Sequence, residues 1–260
     1  LRLFHIPPSK LAKRVIPVEE THHLCVADVI VSHREYARFY QSRVDMGHWL
    51  TMDTAAFEGQ DTTIETLVEA LHVVKPSEIV LPDRFQDSKE TVARSTNAAR
   101  ELREHGYDGA FMVVPHGKTW HEYLYCLEEL VLALPYATIG IIEEVEQLYN
   151  LPRPIVVEAI TEFYGNDIHF LGVTEDLAEL QDEATRARVR SCDTAKFVVW
   201  GLNGITVNPK SIMPGVPVPL YPGRKSLGGR NEYFDYANCS EEAVSITRTN
   251  IRRWREYLHG

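Results

Sequence analysis

Short apolar runs alternate with amphipathic helical patterns along most of this chain, and that alternation constrains the fold more than any other feature. The runs are HLCVADVIV (23–31), HWLTMD (48–53), EIVLPD (78–83), GAFMVVPH (109–116), ATIGII (137–142), DIHFLGV (167–173) and RVRSCD (188–193). Near-continuous apolar runs of this length suit strands covered on both faces, as in a parallel sheet. Helical periods lie between them. Ile64, Leu67, Val68, Leu71 and Val74 share one helix face, and Pro76 stops that helix. A long polar helix is predicted from Ser88, a candidate N-cap, to Gly106, a candidate C′ residue. Tyr123, Leu124, Leu127, Leu130, Val131 and Leu134 form the next apolar face, ended by Pro135, and Pro152 and Pro154 open the helix after it. SHREYARFYQSRV and residues 177–188 also read as helices, while TAKFVVWGL fits helix or strand.

Seven strand–helix units, with a weaker eighth run at GITVN (204–208), favour a closed (β/α)8 TIM-type barrel over an open doubly wound sheet. The expected class is therefore α/β. One barrel domain spans 1–210, with an N-terminal lead-in, and a loop and terminal helix at 211–260 pack on it. No GxGxxG or GxxxxGK[ST] follows the first strand, so dinucleotide and P-loop readings lose their main support.

Charge narrows the partner class. The net charge of −10 argues against a general duplex-coating protein, whose affinity comes from many Lys/Arg–phosphate contacts. The acidity is uneven, since residues 211–260 hold seven Lys/Arg against five Asp/Glu. Val244, Thr247, Ile251, Trp254 and Leu258 form one stripe of the terminal helix, with Arg248, Arg252, Arg253 and Arg255 mainly off it. That helix reads equally as a solvated lid docked by its stripe or as a phosphate-contacting patch. No apolar run approaches the ~20 residues of a membrane span. LRLFHIPPSK lacks a signal-peptide core, and Cys25, Cys126, Cys192 and Cys239 form no CxxC pair. A cytoplasmic protein with free thiols and no membrane partner is expected.

In barrels of this class, chemistry sits at the C-terminal strand ends. Those ends carry Asp28, Asp53, Asp83, His116, Gly140–Ile141, Leu171–Gly172 and Asp193. Any single Asp there equally serves as a helix N-cap. Several carboxylates at one mouth repel each other, so the set is more informative than its members. Paired carboxylates suit glycosyl transfer or hydrolysis, one as nucleophile and one handling protons. They also suit divalent-metal catalysis on a small molecule, with Asp28, Asp53, Asp83 and His116 as ligands. No HxH, HExxH or clustered Cys/His spacing supports a metal, and His22 and His23 point to opposite strand faces. A non-catalytic nucleic-acid-binding barrel is the third alternative.

LTMDTAAFEG (50–59), TIGII (138–142), IHFLGV (168–173) and SCDTAKFVVWGLNGI (191–205) resemble, in family order, four segments of the tRNA-guanine transglycosylases. The GRKS and EYF segments of the tail and the compact length resemble the phage and bacterial DNA-guanine transglycosylases, which place 7-deazaguanines into DNA. The resemblance implies a cytoplasmic pentosyltransferase without a cofactor, of a kind that phages also encode. It would exchange guanine in DNA for a free 7-deazaguanine such as 7-cyano-7-deazaguanine (preQ0), or perform the same exchange on tRNA. Carried over residue by residue, Asp193 is the nucleophile and Asp53 the general acid/base. Phe57 and Leu171–Gly172 sandwich the base, Asp83 (with Asp87 as rival) accepts from its N–H groups, and His116, Gly140 and Ile141 read its edge. Arg224, Lys225, Arg230, Arg252 and Arg253 would contact the polynucleotide. The chain departs from the family in three places. His116–Gly117 replaces a Gln-Gly pair, Thr54–Ala55–Ala56 replaces Ser and glycines, and the zinc-binding Cys/His element is absent, so no structural zinc is expected.

Overall fold

The computed structural model describes residues 1–54, 62–173, 179, 182–209, 233–234 and 236–259. Phe57, Arg224, Lys225 and Arg230, all singled out from the sequence, lie outside the described residues. The strands are β1 (Arg2–His5), β2 (His22–Val26), β3 (Trp49–Asp53), β4 (Glu78–Val80), β5 (Ala110–Val113), β6 (Thr138–Ile142), β7 (Ile168–Leu171) and β8 (Ser191–Thr194). The helices are α1 (Ala12–Val15), α2 (Ala27–Ser32), α3 (Arg34–Asp45), α4 (Ile64–Val73), α5 (Ser88–Glu104), α6 (Trp120–Ala133), α7 (Val145–Tyr149), α8 (Arg153–Phe163), α9 (Glu183–Arg188), α10 (Lys196–Leu202) and α11 (Glu241–His259). All strand pairs are parallel, in the order β1-β8-β7-β6-β5-β4-β3-β2, and the Phe4 and His22 rings stack at 6.2 Å where β1 meets β2. This is the expected (β/α)8 TIM-type barrel.

The strand register fixes which side chains fill the barrel. Partners across a parallel ladder face the same side, and successive residues alternate. Phe4 pairs with Asp193, Ser191 with His169, His169 with Gly140, and Thr51 with Glu78. These residues all point inward. Outward residues such as Cys25, Ile79, Ile139, Phe170 and Cys192 are buried under the helices.

The floor of the barrel is polar. Glu78 is fully buried and accepts from Thr51 Oγ1 (3.0 Å), Thr138 Oγ1 (2.6 Å), and Arg190 Nη1 (3.0 Å) and Nη2 (2.8 Å). Burial alone would push its carboxyl up. The Arg190 hydrogen bonds and charge, helped by Thr138, instead hold it below the usual carboxylate range. A buried charge survives when paired and fully hydrogen-bonded, and this one meets both conditions.

Two expectations are corrected, and one left open is settled. The eighth strand is β1, from the supposed N-terminal lead-in, and GITVN is not a strand. Residues 205–207 are held by a side chain instead of a ladder: Asn250 Oδ1 accepts from Val207 N (2.9 Å) and Nδ2 donates to Ile205 O (2.9 Å). The first apolar run splits into β2 and helix α2, so Asp28 lies on the first turn of α2. A continuous apolar run has no period to mark such a junction. TAKFVVWGL resolves as helix, since α10 covers Lys196–Leu202.

The terminal helix docks by the stripe read from the sequence. Val244, Thr247, Ile251 and Trp254 are buried, and Trp254 stacks on Phe197 of α10 at 4.8 Å. Gly201 permits the close approach, because a Cβ there would lie 2.4 Å from the Thr247 Cα.

Candidate functional site

Asp193 is the penultimate residue of β8, and its neighbours come mainly from β7. Its side chain is only 8% exposed. Both of its hydrogen bonds fall on Oδ2, one from His169 Nε2 (3.0 Å) and one from the Gly172 amide (3.2 Å). Oδ1 has no hydrogen bond among the described residues. The amide of Gly172 reaches Asp193 because the chain turns at φ +69° directly after β7, a conformation glycine adopts without steric cost.

A buried arginine fixes that turn. Arg153, at the start of α8, donates Nη1 to the carbonyls of Ile141 (3.3 Å) and Gly172 (3.1 Å) and lies 3.5 Å from that of Leu171. It grips Glu179 through Nε (2.9 Å) and Nη2, and its guanidinium sits 4.3 Å from the Phe170 ring centroid. Five fixed donors let one arginine tie the ends of β6 and β7 together. Neither Arg153 nor Glu179 was singled out from the sequence, where PRP read only as a helix start.

On the rim, Lys196 Nζ donates to the Val173 carbonyl and lies 3.9 Å from Glu143 Oε1. Burial pushes the Glu143 carboxyl up, against the pull of Lys196. The mouth beside Asp193 thus also holds a carboxylate and an ammonium that sequence reasoning passed over.

The remaining candidates fall into two groups. Gly140 faces inward under Leu171, and a Cβ there would meet Leu171 Cδ1 at 3.0 Å and Val114 Cγ2 at 3.2 Å. Its missing side chain makes room for Leu171, which is half-buried at the mouth. The Ile141 side chain points outward, and its carbonyl already accepts from Arg153. Asp83 and His116 meet each other, with His116 Nε2 3.4 Å from Asp83 Oδ1 and Phe85 set edge-on to the imidazole at 5.6 Å. Asp87 is exposed and caps α5 by accepting from Glu90 N (3.0 Å), the bland role of an Asp after a strand. Asp53 ends β3 and points inward, separated from β8 by β1 and β2 around the barrel. Among the described residues, no three His, Cys, Asp or Glu side chains are grouped to hold a metal ion.

Two of the terminal-helix arginines have acidic partners. Arg252 Nε pairs with Glu19 Oε1 at 2.5 Å, and Arg255 Nη1 with Glu20 Oε1 at 3.0 Å. Arg253 is exposed. No helix among the described residues is long and apolar enough to cross a membrane. A scan against protein-family models returned no match, and a search of curated proteins returned none either.

Proposed function

We propose that this chain is a base-exchange transglycosylase that replaces guanine in DNA with a 7-deazaguanine through a covalent aspartyl-glycosyl intermediate. The observation carrying this reading is Asp193: an inward carboxylate near a strand end, with Oδ2 held by two N–H donors and Oδ1 without a hydrogen bond among the described residues. That is what a nucleophilic carboxylate needs, one oxygen anchored and one free to attack.

Asp193 Oδ1 bonds to C1′ of the target nucleoside as the C1′–N9 bond breaks. Asp53 gives its proton to the departing guanine. It then takes the N9 proton of the incoming 7-deazaguanine, whose nitrogen displaces Asp193 from C1′. Leu171 and Gly172 cover one face of the base. Phe57, in the segment after β3, covers the other by stacking worth about 1–3 kcal/mol. Asp83 accepts from the base N–H groups, and His116, held by Asp83, stands beside it to address the base edge. With Asp87 committed to capping α5, Asp83 is the stronger candidate of the two. A reacting base must leave its stack to enter such a site, so single-stranded or locally opened DNA is the expected substrate form.

The test is incorporation of labelled guanine or preQ0 into DNA and tRNA offered in competition. Label entering DNA, and abolished by Asp193→Ala, is expected. Label entering tRNA alone would move the activity to the other polymer. No label in either polymer, or full exchange by Asp193→Ala, would overturn the reading.

A further inference from the structure

A chain of hydrogen bonds runs inside the barrel from its floor to Asp193, and it fixes the proton on one imidazole. Arg190 is anchored by two contacts to Glu78, and its Nε lies 3.2 Å from Ser191 Oγ. Ser191 Oγ lies 2.8 Å from His169 Nδ1, and His169 Nε2 lies 3.0 Å from Asp193 Oδ2. Both Ser191 and His169 are fully buried, and Phe4 packs on the imidazole at 5.4 Å between ring centres.

The direction of each bond follows from what each atom can do. An arginine nitrogen only donates, so Ser191 Oγ accepts from Arg190. The single Ser191 hydroxyl proton then goes to the one acceptor in reach among the described residues, His169 Nδ1. Nδ1 is therefore bare, and Nε2 carries the proton that Asp193 Oδ2 receives. The opposite tautomer would aim two donors at Ser191 Oγ, strand the hydroxyl proton, and set a bare Nε2 lone pair against a carboxylate oxygen. Each of those faults is costly where no water can compensate.

We propose that His169 is a positioning residue for Asp193, locked as the Nε2–H tautomer from beneath by Ser191, Arg190 and Glu78. The proposal rests on Asp193 being the nucleophile. With His169 and Gly172 both on Oδ2, the carboxylate plane is set before substrate arrives and Oδ1 is left to form the bond to C1′. As that bond forms, Oδ2 becomes the ester carbonyl oxygen and keeps both donors, while the electron pair of the broken C1′–N9 bond leaves with guanine. Holding reacting atoms in an attack geometry is worth large factors in rate, and small misplacements forfeit about 10²-fold.

Two measurements test it. Nitrogen-15 NMR of histidine-labelled protein without substrate, with the resonance assigned by its loss in His169→Gln, should show Nε2–H and bare Nδ1 at pH 8. An Nδ1–H tautomer, or a doubly protonated ring, overturns the proposal. In the base-exchange assay, His169→Leu should lower kcat by about 10²–10³ with KM for the base within about twofold, the scale of losing one preorganised donor. His169→Gln, which keeps an N–H near the Nε2 position, should recover at least about tenfold of that loss. Equal activity of the two variants overturns the proposal. Should His169→Leu fail to fold, the NMR measurement on the unaltered protein still decides the tautomer. A wild-type protein with the Nε2–H tautomer but no exchange overturns the transglycosylase reading and leaves the hydrogen-bond chain standing.

Discussion

The amide of Gly172 donates to Asp193 Oδ2 across 3.2 Å, and it can do so only because Gly172 holds φ at +69°. Among the described residues, a Cβ at this position meets only Glu143, its Oε2 at an ordinary 3.4 Å and its Cβ at 4.0 Å, so space is not what requires glycine. The backbone conformation is. Gly172→Ala should cost about 1–2 kcal/mol of stability from the left-handed conformation alone. If the turn relaxes, the amide swings off Asp193 and exchange activity should fall by at least about tenfold, through kcat. Urea unfolding and single-turnover kinetics on the same variant check both. Unchanged kinetics with lowered stability would show that the Gly172 donor is dispensable.

Arg153 and Glu179 form a buried pair whose halves depend on each other. Arg153→Met takes the guanidinium away from the buried Glu179 carboxylate and leaves the carbonyls of Ile141 and Gly172 short of a donor. Removing one member of such a pair typically costs about 3–5 kcal/mol. The double variant Arg153→Met, Glu179→Leu should recover part of that loss, because the buried charge is gone. A double-mutant cycle in urea measures the coupling, and strictly additive losses would contradict a direct pair.

Acid should destabilise the fold through two buried imidazoles. Among the described residues His5 has no hydrogen-bond partner on either ring nitrogen, and burial, with Arg255 nearby, lowers it from 6.5 to about 3. Burial, then Arg43, lowers His23 to about 3 as well. Below pH 6.5 the unfolded chain takes protons these rings refuse, so their contribution is full above that pH and lost as pH falls. Each costs up to about 1.4 kcal/mol per pH unit. Glu20 works in the opposite sense: burial, outweighing Arg255, raises it from 4.5 to about 7, so its contribution is full below 4.5 and lost as pH rises through 7. It offsets one imidazole between pH 7 and 4.5. Below 4.5 that offset ends, and Glu78, held under the usual range, adds a loss of its own. The melting temperature should therefore fall gently from pH 6.5 to 4.5 and steeply below. His5→Leu should flatten the upper part, and a curve parallel to wild type would assign the acid response elsewhere.

Periodicity exposed the barrel because helices and buried strands have different apolar patterns. It exposed Asp193, Asp53 and Leu171 because strand ends are where such folds keep their chemistry. It missed β1, where RLFH puts Arg2 and Phe4 inward and gives only a four-residue alternation with a charge in it. It missed the Glu78–Arg190 plug and the Arg153–Glu179 clamp for one reason: a charged residue at an element end or on a polar helix reads as a boundary or a solvated face unless its partner is known. Those partners lie 112 and 26 residues away. The inward position of His169, opposite Ser191, was implicit in the alternation of IHFLGV and RVRSCD. Their ladder register was needed to bring the two side chains together.

The terminal helix offers a test of where the polynucleotide lies. Docking through its apolar stripe accounts for α11 as a lid, but that face does not use Arg253, which is exposed with no ion pair among the described residues. Arg252 is 46% exposed and already paired with Glu19, so its charge is partly cancelled before DNA arrives. Surface pairs of this kind are weak, worth about 0–1 kcal/mol, and salt-sensitive, so a phosphate can compete for the arginine. Arg253→Glu should weaken DNA binding and reduce the slope of log affinity against log salt by about 0.9 if one phosphate contact is lost. Glu19→Gln should do the reverse, freeing Arg252 and tightening binding at low salt. Fluorescence anisotropy with a labelled oligonucleotide over a salt series reads both variants. If neither moves the affinity or the slope, the helix serves only as the lid and carries no phosphate contact.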